Sequence, residues 1–231
     1  MIRLLRAVDF PVRVDVDCSL RLVEDVVLSL PAGVAALTAE AASVCLDLAG
    51  HRLSAIGAAL VNFNGRDASL RVLRGTLGPC GAALTATRCA GVELEDVRVE
   101  SFRDVGLNLD DVKESTLRRV ELYDGSGAAT VFGLRCVSGG RPTGLTILGL
   151  RVLGLRADRA TAVLLSGLRR ARLAAVEVSK VHGSSYAVGL EACCVEVLLD
   201  TVSVREVRCD EGEAEEVRVS GKVLKTAAKV E

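Results

Sequence analysis

An apolar-x-x-apolar-x-apolar signature returns every 22 to 30 residues through most of this chain, and a period of that length leaves few folds open. Six copies occupy residues 72–77, 94–99, 117–122, 147–152, 173–178 and 199–204; the third of them reads Leu117-Arg118-Arg119-Val120-Glu121-Leu122. A looser copy starts at Leu46, and Gly75 replaces one apolar position in the copy at 72–77. A repeat in the twenties built from short period-2 apolar runs describes one supersecondary unit, stacked on its neighbours to bury a continuous core.

Each signature is followed by a turn and a second apolar stretch, at 57–61, 81–85, 105–109, 127–131, 160–164 and 186–190. Gly, Asp, Asn or Ser punctuate the segments, so each repeat reads as two or three short strands. No segment carries a long 3.6-residue period with caps, which argues against a helical or leucine-rich solenoid. The expected fold is all-β: a parallel β-helix, a single-stranded solenoid of about 7–9 coils of 22–30 residues, in which each residue pairs with its equivalent one coil away. The chain is read as a single domain, with 1–42 as an N-terminal lead-in coil and cap, 43–209 as the repeat coils and 210–231 as a C-terminal coil and cap. In the first part, residues 12–16 and 20–23 read as strands. In the last, the acidic run 210–216 and Lys222, Lys225 and Lys229 predict a charged closing coil that opposes end-to-end stacking. The insertion at 137–142 is expected to leave the coil as a loop.

The stretch Leu46-Asp47-Leu48-Ala49-Gly50-His51 resembles the leucine-aspartate-leucine-x-glycine-histidine opening of the pectate lyase-like superfamily, and the later repeats resemble that superfamily's coils. The likeness covers residues 43–209. It implies a right-handed β-helix and, as one functional reading, a lyase or hydrolase of acidic polysaccharide. Ca²⁺ enters only under that lyase alternative; otherwise no cofactor is expected. Fold alone does not assign function.

The core implied by this pattern is aliphatic, since the chain has no Trp, two Tyr and four Phe. Few aromatic side chains are left for the stacking platforms that sugar and single-stranded nucleic-acid sites use. Basic and acidic residues balance, 29 against 30, so no global field draws in nucleic acid or an anionic membrane, and neither is expected as a partner. Arg6 and Asp9 interrupt the first apolar run, and no transmembrane run of 18 apolar residues exists; the expected location is cytoplasmic. The eight Cys residues lie in or beside apolar runs without a C-x-x-C pair, which predicts buried reduced thiols and no metal site. Cys89, Cys136 and Cys193 are expected at related corners of the coil.

Aligning the repeats stacks outward residues into a ladder: Arg98, Glu121, Arg151 and Glu177 alternate in sign at one position, with Tyr123 and Arg205 just beyond. Opposite charges on neighbouring strands fix register, and the same face could meet a ligand. The turns beyond the ladder supply Asp104, Asp124, Lys180 and His182 as the candidate catalytic set. A lyase needs a base, a hydrolase needs two carboxylates flanking a water, and a histidine titrates near neutrality. His51 is read as a hydrogen-bonded coil residue. Two functions follow: a non-catalytic structural or protein-interaction module that meets a protein partner or self-associates, and, as the alternative, the carbohydrate-active enzyme, with acidic polysaccharide as partner.

Overall fold

The computed structural model describes residues 2–31, 33–40, 42–139 and 143–230, the stretch 224–230 in backbone only. Residues 140–142 of the expected loop, and the side chains of Lys225 and Lys229, lie outside the described residues. The chain is a β-solenoid of about eight turns, 77% strand and 1% helix, and all its ladders are parallel.

Three flat faces make up each turn. Face A begins with Ile2–Leu5 on Cys18–Leu22 and Val44–Asp47, then runs through residues 69–73, 91–95, 114–118, 144–148 and 170–174. Face B stacks Val26–Leu28, 52–55, 76–77, 97–99, 120–123, 150–153 and 176–179. Face C stacks Val12–Val14 and Leu37–Glu40, then 59–64, 82–87, 105–110, 130–137, 159–166, 186–193 and 213–220. The coil pattern thus begins at Ile2, well before the first recognisable signature, and its last turn is formed by Glu213–Val230.

Period-2 alternation explains the interior. Leu20, Leu46, Val72, Leu94, Leu117, Ile147 and Leu173 are in register along face A and all are essentially buried. Leu53, Leu77, Val99, Leu122, Val152 and Val178 do the same on face B. Each such side chain contributes roughly 1.5–3 kcal/mol when withdrawn from water. On face C, Phe63 stacks on Ala86, so bulk and its absence compensate within one column.

Between the faces the chain bends through residues in the left-handed region, at Ala49 together with the following Gly50. At the A–B corner these are Ala49, Arg74, Asp96, Arg119, Gly149, Ala175 and Thr201; at the B–C corner they are Ser101, Asp124, Gly154, Lys180 and Glu206. A non-glycine residue costs roughly 1–2 kcal/mol in this conformation. Ladder hydrogen bonds at the bend itself hold it, such as Asp124 N–H to Leu153 O at 3.0 Å.

The cysteines depart from expectation in one respect. Cys136 is in register with Leu109 and Ala86, whereas Cys193 follows the column of Ser166 and Val137, and Cys89 lies beyond the strand end at Thr87. Loops of unequal length before each thiol shift it along the coil, so the three are not equivalent. No disulfide forms among the eight.

Candidate functional site

The outward ladder of face B is in the expected register: Arg52, Thr76, Arg98, Glu121, Arg151 and Glu177 pair in sequence. Its chemistry differs from a simple alternation of sign. Arg98 turns from Glu121 to Glu100, at 2.6 Å, and lies over the Tyr123 ring, 4.4 Å from its centroid. Arg52 reaches the same Glu100 carboxylate at 3.1 Å. Arg151 bonds Tyr123 and Glu177, and Arg205 closes on Glu177 at 2.7 Å. The result is a ribbon, Arg52–Glu100–Arg98–Tyr123–Arg151–Glu177–Arg205, from which Glu121 is left out. Glu100 and Tyr123 are two residues beyond the ladder on the same strands, so they point to the same side and compete successfully for the guanidinium groups. The Arg151 hydrogen bond, working against partial burial and aided by Arg205, holds the Glu177 carboxyl below the ordinary glutamate range. The Tyr123 and Glu177 hydrogen bonds in turn raise Arg151. These side chains neutralise one another, and that suits a rigid face better than a reacting one.

The B–C corner is different. A cleft of about 620 Å³ opens there, lined by Asp124, Arg156, Lys180, His182, Glu206 and Arg208 over a floor that includes Gly154. Three of the four candidate catalytic residues, Asp124, Lys180 and His182, share this cleft. Asp104 does not line it; it is near Cys80, adding its charge to the burial that pushes that thiol up to about 12. Asp124 and Lys180 are bend residues, their backbones left-handed at φ 54° and 57°, with Gly154 in the same corner column between them. Gly154 gives the Asp124 carboxylate its place, since a Cβ there would come within 2.9 Å of Asp124 Oδ1. His182 Nε2 is 2.9 Å from Asp210 Oδ1, and because an ionised carboxylate only accepts, that nitrogen carries the hydrogen.

Alignment two residues past the corner column brings in two members missed in the sequence, Arg156 and Arg208, on either side of His182. Arg156, His182 and Arg208 recur at a spacing of 26, which was legible once the repeat was extended beyond its apolar part. His51, by contrast, is at 3.4 Å from the Asp25 carboxylate, as a coil residue. Burial pushes Cys136 up to about 12 and Cys89 and Cys194 up to about 11, so these thiols are poor nucleophiles. Among the described residues no group of three or more His, Cys, Asp or Glu side chains is placed to hold a metal ion, and no helix is long and apolar enough to cross a membrane. Comparison with known proteins finds no matching family model, no matching curated protein and no matching solved structure.

Proposed function

We propose that this chain is a non-catalytic interaction solenoid that self-associates through its N-terminal turns. The observation that carries this reading is where its exposed large apolar side chains fall. Of nine among the described residues, seven (Ile2, Leu4, Val8, Val16, Val23, Val27 and Ile56) belong to the first 56 residues. Val8 is 89% and Val27 71% exposed, and the short 3-10 turn Ala7–Asp9 buries none of its residues. Exposed apolar surface concentrated in one region marks an interaction site. A second copy related by a two-fold axis would bring like surface to like surface and close the assembly. By contrast, residues 213–220 carry Glu213, Glu215, Glu216 and Arg218 and include no exposed large apolar side chain.

Sedimentation velocity tests this. The wild-type chain should sediment as a particle of twice 24.3 kDa, and Val8→Lys/Val27→Lys as a single copy with unchanged circular dichroism. A wild-type protein that stays at one copy at every concentration overturns it.

The carbohydrate-active reading retains one specific support, the meeting of Asp124, Lys180 and His182 in one cleft. Under it the chain would be a pectate lyase-like enzyme acting on acidic polysaccharide, with Ca²⁺ as the cofactor of the lyase form. Release of unsaturated or reducing ends from polygalacturonate, lost in Lys180→Gln, is the result that would favour it over the interaction module.

A further inference from the structure

The ribbon of face B leaves no arginine on its path without a carboxylate: Arg52, Arg98, Arg151 and Arg205 are all paired. Around the adjoining corner the pattern stops. Among the described residues Arg156, Lys180 and Arg208 make no ion pair, although Asp124 and Glu206 line the same cleft. Arg156 is in register with His182, and Arg208 follows one 26-residue period later. Neighbouring rungs of a parallel ladder are about 4.8 Å apart, so a cation is stacked on an imidazole and the next cation follows on the far side. Like charges in such a column repel unless something of opposite sign is between them. Asp210 is already bonded to His182, and Asp158, which lines an adjoining cleft with Arg156 and His182, makes no ion pair with either among the described residues.

We propose that this cleft binds a phosphate ester, with the phosphoryl oxygens on Arg156, Lys180 and Arg208 and the hydroxyl groups of the ligand's body donating to Asp124 and Glu206. Three features select this chemistry. Donors converge from three rungs, and a tetrahedral group offers acceptor oxygens in as many directions, whereas a carboxylate satisfies one guanidinium edge. The three cations of the cleft outnumber its two carboxylates, so an anionic group is needed to neutralise it. The two carboxylates, which oppose a bare anion, become useful when the ligand also carries hydroxyl donors. Gly154, without a side chain, makes room for the Asp124 carboxylate at the cleft, since a Cβ there would come within 2.9 Å of Asp124 Oδ1. The site is independent of the apolar N-terminal turns, so its failure leaves the self-association reading untouched.

Isothermal titration calorimetry at fixed ionic strength tests the proposal with inorganic phosphate, glucose 6-phosphate and digalacturonate as probes. Both phosphates should bind saturably at one site, glucose 6-phosphate the more tightly, and Arg156→Gln/Arg208→Gln should weaken both at least tenfold. Lys180→Gln should weaken them less, and the control Arg13→Gln, on an arginine at the N-terminal turn, should change neither. Asp124→Asn should weaken glucose 6-phosphate but not inorganic phosphate, which separates recognition of the ester's body from recognition of the anion. Absence of saturable phosphate binding, an unchanged affinity in the double variant with native circular dichroism, or binding of digalacturonate alone would overturn it.

Discussion

Beneath the cleft, Phe102 is fully buried and Gly125 is packed directly against it. A Cβ on Gly125 would fall 2.6 Å from Phe102 Cζ and from Leu155 Cδ2, and closer still to Phe102 Cε2. Carbon atoms pack best at about 3.5–4.0 Å, so the added methyl intrudes by roughly 1 Å on two side chains at once. The backbone at Gly125 is outside the left-handed region, so the cost of Gly125→Ala is steric rather than conformational. Overpacking of this kind costs about 1–3 kcal/mol. Phe102→Ala alone should cost about 3–5 kcal/mol through lost burial and the cavity it leaves. In the double variant the new methyl enters that cavity, and Leu155 can rotate away from it. The penalty of Gly125→Ala should then nearly vanish, giving a favourable coupling of about 1 kcal/mol or more. Urea unfolding of all four proteins, with equal m-values, measures the cycle. Additive costs, within about 0.5 kcal/mol, would refute the packing argument, because two residues in contact in the core cannot behave as independent sites.

The thiols and the ribbon supply two further tests. Ellman's reagent should label at most Cys18, Cys45, Cys193 and Cys209 in the native protein, since Cys80, Cys89, Cys136 and Cys194 are buried, and all eight in denaturant; fast labelling of a buried thiol in the native state contradicts the core described here. Glu177, its pKa depressed in the folded chain, contributes stability present above the ordinary glutamate range and lost as the pH falls through its folded value. Arg151→Ala should raise the Glu177 titration midpoint by NMR and cost less than about 1 kcal/mol at neutral pH, the solvent-screened value of an exposed pair, with that cost shrinking in acid.

The coil and its register were legible because alternation commits each apolar residue to the interior. Once Leu94 and Leu117 face inward on strands of equal phase, they must stack, and they do. The corners were not legible. Arg74, Asp96, Arg119 and Ala175 take the left-handed conformation without being glycine, imposed by ladder bonds on either side, and intrinsic preference carries no trace of it. The strands at 12–16 and 20–23 were read within the lead-in coil, but Ile2–Leu5 was hidden: Ile2 and Leu4 face outward and Arg3 aligns with Leu20, so the alternation that marks an interior rung is absent there. For the site, Asp124, Lys180 and His182 were found from repeat alignment, whereas Asp104 was grouped with them although its strand carries it elsewhere. Glu121 was read as a rung of the ribbon because position predicts adjacency, but which acid a long guanidinium reaches is decided by side-chain geometry that a repeat does not encode.

The recurring left-handed corners have a consequence for how such a protein changes length. From Ala49 onward the bends recur at corresponding places, so a segment cut from one bend to its counterpart a lap later rejoins ends that already match. Gene duplication or excision of a whole lap would therefore preserve every remaining column, whereas loss of a single residue within a face would throw all later columns out of phase. Evolution along this scaffold should proceed in complete circuits, with freedom for irregular growth confined to the outside of the bends.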